Sequence, residues 1–202
     1  MFWGAVFTFL TLAVTWYKRI LFDMQTDQST AAIVESLINR LDQVETKLRA
    51  FEDEKAILDL LSRYSYFADS GRDDDWVDLF TEDGLQDVAM GSDSAYAGGL
   101  VFQGTQGLKD FISDPKGHHA EGFYRHSVHL HGNNTVINVD GDTAVANTYS
   151  VLMKQDGPGI AVLAAGFNEW EFRRVDGTWR IVVRRRRQAG SPETDMILSK
   201  TH

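Results

Sequence analysis

The sequence has no cysteine. That removes disulfides, thiolate metal sites and cysteine nucleophiles from consideration, and it leaves the redox compartment open. An excess of positive charge is also missing: 20 Lys and Arg stand against 29 Asp and Glu, for a formal net charge of −9. The balance argues against nucleic acid as a partner, although the run Arg184–Arg187 shows that the charge is unevenly spread. There is no long polar tract and no internal repeat. The 202 residues therefore read as one globular domain with appendages, not as disordered or repetitive chain.

The first feature present is apolar. Residues 1–16 are almost wholly apolar and are followed by Lys18 and Arg19. A bilayer span needs about 20 residues, so the run is short for one. A secretory signal would carry leading positive charge and a small-residue cleavage site, and neither is clear. Two readings stand: a dispensable extension ahead of Met24, or an anchor whose Lys18 and Arg19 keep the following domain cytoplasmic. The expected location is cytoplasmic, with membrane contact only through residues 1–22. Four segments are expected: the apolar residues 1–23, a helical extension over 24–50, a domain over 51–190, and a polar tail over 191–202 that is loose at its end.

Val34, Leu37, Leu41, Val44, Leu48, Phe51 and Leu58 recur at alternating steps of three and four, with Lys55 the one break. This heptad seam predicts a long helix over about 31–61 that continues to about Ala68 and stops at Ser70-Gly71. The seam serves either as a contact between copies, in a homo-oligomer of two or three chains, or as packing on its own domain. Asp73–Asp75 suits a solvated helix start better than a metal site, and Trp76–Phe80 reads as a short second helix. A hairpin is expected in residues 84–103, and a third helix over Thr105–Ile112, closed by Asp114-Pro115. Five strands follow: Tyr124–His131, Val136–Val139, Thr143–Met153, Ile160–Arg173 and Thr178–Arg187. Asp140-Gly141 and Asp176-Gly177 mark hairpins between them. Helices followed by a run of antiparallel strands give an α+β fold class.

This order of elements resembles the SnoaL-like branch of the nuclear transport factor 2-like (NTF2-like) superfamily. The matching pieces are Ala56–Tyr64, Trp76–Phe80, Phe102–Gly104, Val139–Ala144 and Arg174–Trp179, within about residues 50–190. The resemblance implies a cone-shaped, curved antiparallel sheet covered by N-terminal helices that close an apolar pocket. The fold hosts dehydratases, dehydrochlorinases, isomerases, cyclases and non-catalytic subunits, so the site must assign function.

Tyr64 and Asp69 are five residues apart near the end of the long helix. From the residues alone, Asp69 reads as a turn residue ahead of Gly71. Bile-acid dehydratase and hexachlorocyclohexane dehydrochlorinase, which this chain resembles, imply instead that Asp69 pairs with a His base on a central strand. Alternation places Ser127, His129 and His131 on one face of that strand and His126 on the other. His129 best fits the family position, with His131 and His126 left open. A neutral His beside a carboxylate suits a base near neutral pH, because the carboxylate fixes its tautomer and stabilises the imidazolium formed. His129 and His131 offer only two of the three or four ligands zinc takes, so no metal and no cofactor is expected.

On the last strand, alternation groups Arg180, Arg184 and Arg186 on one face. It sets Arg185 and Arg187 on the face of Trp179, Ile181 and Val183. The dehydrochlorinase resemblance implies Arg184 as a pocket residue able to stabilise an oxyanion or leaving group. At least two of the four arginines 184–187 are expected to pair with acidic side chains at a basic sheet edge. His131, Tyr66, Trp76, Phe80 and Phe167 are expected to contact the substrate. Few polar groups are expected beside Val162, Ala164 and Gly166 or beside Leu163, Ala165 and Phe167, which suits an apolar ligand. Two family features are missing: a further acidic residue on the strand Asn147–Leu152, and the second His of scytalone dehydratase. The reading is a cofactor-free, dehydratase-type lyase or isomerase acting on a small hydrophobic substrate such as a steroid or polyketide. The alternative is a ligand-binding or accessory subunit resembling the small subunit of ring-hydroxylating dioxygenases.

Overall fold

The computed structural model describes residues 3–89 and 99–199, with side chains from residue 14 onward except 25 and 26. The chain divides into two compact units, Met1–Ala50 and Phe51–His202. The first is helical throughout its described residues, and its seam side chains from Val34 to Leu48 are exposed. They therefore do not pack on their own unit. Among the described residues no helix is long and apolar enough to cross a membrane, and the side chains of the apolar run behind the anchor reading lie largely outside them. Residues 1–2, and the side chains of 1–13, fall outside what is described.

Helix α1 runs Trp3–Ser70. In the second unit it buries Ile57, Leu60, Leu61, Tyr64 and Ala68, a stripe at the steps of three and four that bring side chains to one helix face. Two short helices complete the cover: α2, Asp73–Val77, buries Trp76 and Val77, and α3, Gly104–Ile112, buries Leu108, Phe111 and Ile112. The expected second helix ends earlier than its sequence suggests. Phe80 instead opens strand β1, Phe80–Val88, and pairs with Ile181.

The remaining strands are β2 Leu100–Gln103, β3 Ser127–Leu130, β4 Val136–Asp140, β5 Thr143–Asp156, β6 Gly159–Val175 and β7 Thr178–Gln188. They form one curved, unclosed sheet in the order β2-β1-β7-β6-β5-β3, with β4 also on β5. The expected hairpin is present as the antiparallel pair β1–β2, and residues 90–98 within it lie outside the described residues. One pair departs from an all-antiparallel sheet: β1 runs parallel to β7. Within the polar tail, Thr194–Leu198 forms helix α4 and buries Ile197.

Two bulges decide which residues face the helices. Glu171 pairs with Val183 but Phe172 with Ile181, so Val182 is an extra residue in β7. A bulge reverses strand alternation beyond it. The expected grouping is corrected accordingly: Arg184 and Arg186 join the inward face of Trp179 and Ile181, while Arg185 and Arg187 turn to the other. Leu163 is the extra residue in β6, between the pairs Leu152–Ala164 and Met153–Val162. Val162 is consequently 63 % exposed and does not share the buried face of Ala164.

Candidate active site

Asp69 is held where α1 stops. Ser70 Oγ donates to the Tyr66 carbonyl at 2.6 Å and the Arg72 N–H to the Phe67 carbonyl at 3.0 Å. Gly71 takes φ +64°, and a Cβ there would sit 2.1 Å from the Tyr124 ring. Glycine alone suits that position. The negative end of the helix dipole disfavours a carboxylate here, so Asp69 requires donors.

His129 supplies two. Its backbone N–H donates to Asp69 Oδ2 at 3.1 Å, and its Nδ1 lies 2.5 Å from Asp69 Oδ1. A carboxylate can only accept, so the ring hydrogen lies on Nδ1 and the lone pair of the neutral ring on Nε2. Among the described residues Nε2 has no hydrogen-bond partner. The imidazole is buried, stacked against His118 at 5.2 Å and edged by Phe123 at 6.0 Å.

His131, two residues along the same face, has a different environment. Its Nδ1 lies 3.2 Å from Ser150 Oγ, and its Nε2 lies 3.4 Å from the Arg184 guanidinium. Since a guanidinium only donates, that nitrogen's lone pair is engaged. Burial first, then the charge of Arg184, hold His131 well below the ordinary imidazole value. His126 is elsewhere, exposed and 3.0 Å from Gln155 Oε1. Of the three histidines, Asp69 therefore meets His129.

Arg184 organises the neighbouring interior. It donates to Tyr64 Oη at 2.8 Å and to Asn168 Oδ1 at 3.1 Å, and its charge lies over the rings of Tyr64 and Trp170. Gln86 Nε2 also donates to Tyr64 Oη, at 3.0 Å. With two donors received, the Tyr64 hydroxyl hydrogen remains available. Burial pushes this hydroxyl above its ordinary value, outweighing the Arg184 cation, and keeps it a proton donor. Arg186, also turned inward, donates to the Ala89 carbonyl at 2.7 Å, and burial, then the nearby Arg184 charge, brings it down to about 10. On the opposite face Arg185 pairs with Glu169 and Glu171, and Arg187 with Asp87. Those two fulfil the expectation of structural ion pairs.

Among the five expected contact residues, three gather near Tyr64: the rings of Trp76, Phe80 and His131 lie at 5.1, 6.2 and 5.6 Å. Two do not. Tyr66 is 74 % exposed, because two residues along a helix turn the side chain through about 200° from Tyr64. Phe167 alternates with the inward Gly166 and Asn168 and packs on the exposed Tyr149.

The sequence reading missed His118, Gln86, Asn168 and Ser150. Strand alternation could have flagged Asn168 beside Trp170, whereas nothing in the turn sequence around His118 marks it. Three buried polar atoms here lack a partner among the described residues: Trp76 Nε1, Gln86 Oε1 and His118 Nδ1. Trp76 and Gln86 touch Tyr64, and His118 touches His129. No group of three or more metal-ligating side chains occurs among the described residues.

No curated protein matches the chain. Among solved structures, an NTF2-like protein with a cystatin-like fold from Novosphingobium aromaticivorans is similar at 28 % identity and TM-score 0.68, covering 77 % of this chain and 94 % of its own. A scytalone dehydratase-like protein from the same organism is 19 % identical with TM-score 0.54, over 69 % and 86 % of the two chains. A beta subunit of aromatic-ring-hydroxylating dioxygenase type, again from that organism, is 24 % identical with TM-score 0.56, over 69 % and 90 %. At that distance the last two bear on the fold alone. The model of the SnoaL-like domain matches residues 49–185, which take in Asp69, His129 and all of the sheet but the last residues of β7. This chain belongs to the SnoaL-like domain family of the NTF2-like superfamily.

Proposed function

We propose that the chain is a cofactor-free lyase of dehydratase type, or an isomerase, acting on a small hydrophobic molecule such as a steroid or polyketide. His129 Nε2 removes a proton from carbon, and Asp69 orients the ring and balances the imidazolium that forms. In dehydration the electron pair of the broken C–H bond forms the double bond as the C–O bond breaks. Tyr64 protonates the departing oxygen, so that water leaves. In isomerisation His129 returns the proton at a second carbon while Tyr64 supports a carbonyl oxygen. Arg184 steadies Tyr64 and the negative charge that develops on oxygen.

The carrying observation is the two-point grip of Asp69 on His129, at 3.1 and 2.5 Å, which leaves Nε2 without a partner among the described residues. The unpaired Trp76 Nε1 and Gln86 Oε1 beside Tyr64 favour a ligand that bears oxygen. An accessory subunit has no use for a buried base held in this way. The test is a panel of hydroxysteroids and polyketides incubated with the protein and scanned by mass and absorbance for loss of one water or a shifted double bond. Turnover that vanishes in His129→Ala supports the reading, and turnover undiminished in that variant overturns it.

A further inference from the structure

Residues 33–54 of α1 present an apolar stripe to solvent. Val34, Leu37, Leu41, Val44, Leu48 and Phe51 are each between 49 % and 64 % exposed. Their alternating spacing of three and four is the repeat that lets two helices bury a common seam. The flanking residues add a second, independent pattern. With Val34, Leu41 and Leu48 at heptad position a, and Leu37, Val44 and Phe51 at d, position g holds Ile33, Arg40, Lys47 and Glu54. Position e holds Ile38, Glu45 and Glu52.

In a parallel pair of helices each g residue lies beside the e residue five positions later on the partner. For two copies of this segment the neighbours are Ile33 with Ile38, Arg40 with Glu45, and Lys47 with Glu52. Apolar meets apolar once, and positive meets negative twice on each side of the seam. Ile33 and Ile38 are also exposed, at 58 % and 53 %, so they widen the stripe at its start. With one copy reversed, g faces g and e faces e. Arg40 then approaches Lys47 and Glu45 meets Glu45, both repulsive. Glu45 has one ion pair on its own helix, with Arg49 at 3.7 Å and well exposed, which leaves it free to turn to a partner.

We propose that residues 33–54 dock against the same residues of a second copy of this chain as a parallel, in-register coiled coil. The occupant is a second copy because the e and g residues complement themselves. The orientation is parallel because it matches the three g–e pairs that lie within residues 33–54, whereas the reversed one sets like charges together.

The absence of cysteine from the sequence makes the test direct. Three full-length variants are oxidised side by side and resolved on non-reducing gels: Leu37→Cys at the seam, Asn39→Cys on the opposite face, and an equal mixture of Leu37→Cys with a size-tagged Phe51→Cys. The expected result is linking of Leu37→Cys at least tenfold above Asn39→Cys, with no 37-to-51 product in the mixture. Adding Leu41→Asp to Leu37→Cys should bring linking down to the Asn39→Cys level. Equal linking at positions 37 and 39, linking unaffected by Leu41→Asp, or a prominent 37-to-51 product would each overturn the proposal. A charge test sharpens it: Glu45→Arg reduces linking, and Arg40→Glu with Glu45→Arg restores it. Failure of the double variant to restore linking contradicts the assigned pairs.

Discussion

His129 in β3 and His131 just beyond its end stand two residues apart and both face inward, yet their partners are of opposite charge. Asp69, a carboxylate, takes the Nδ1 hydrogen of His129. Arg184, a guanidinium, lies against Nε2 of His131. A carboxylate leaves an imidazole ready to accept a proton at its far nitrogen, and a cation at the lone pair makes protonation costly. Under the proposed function the first ring is the base, while the second is a neutral strut held between Ser150 and Arg184. Residue type alone does not distinguish them; the element packed over each does.

The largest expected effect breaks the first half of this contrast. His129→Ala or Asp69→Asn should lower turnover by roughly 10²- to 10⁴-fold, as removal of a general base does, with the melting temperature little changed. Asp69→Asn should cost only about 1 kcal/mol of stability. The amide oxygen can accept from just one of the two His129 N–H groups, while removal of a charge opposed by the helix dipole offsets part of that loss. Steady-state kinetics with a thermal melt checks both parts. Full activity together with a large loss of stability would make the pair structural.

Next in size is Arg184→Met, which strips donors from Tyr64 and Asn168 and should cost on the order of 2–4 kcal/mol in denaturant unfolding. It also removes a cation from beside His131, so that ring should titrate higher, which NMR of its carbon-bound protons would follow.

A smaller effect comes from pH. The folded-state value of His131 lies well below the ordinary 6.5. Once the pH falls below about 6.5 the unfolded chain takes up a proton that the folded chain refuses, so stability declines from there down toward the depressed folded value. The slope contributed is at most about 1.4 kcal/mol per pH unit. His131→Asn should flatten it in urea titrations between pH 7 and 5, and an unchanged slope would count against the neutral strut. Smallest is the outward pair: Arg187→Ala loses a two-point ion pair with Asp87, whose side chains are about one-fifth exposed, and should cost about 1 kcal/mol, with no change in turnover.

Much of this arrangement could be read from the chain. The stop at Ser70-Gly71, the spacing from Tyr64 to Asp69 and the period-two pattern around His129 are local signals, and local signals survive into the fold. Arg184 was placed inward by family likeness, while strict alternation grouped it wrongly. The single extra residue Val182 shifts the phase of the strand, and nothing in Trp179–Arg187 announces where a bulge falls. The parallel pairing of β1 with β7 was hidden for the same reason: strand neighbours distant in sequence are set by the closing of the whole sheet. His118 escaped notice because its place on the ring of His129 depends on how a turn folds back, and no periodicity records that.

Nitrogen-15 NMR of the His129 ring at neutral pH tests the central claim most directly. The account predicts a hydrogen on Nδ1 and a bare, acceptor-type Nε2, with Asp69→Asn altering the Nδ1 signal and leaving that of His131 unmoved. A hydrogen on Nε2 in the neutral wild-type ring, or a His129 spectrum indifferent to Asp69→Asn, would contradict it.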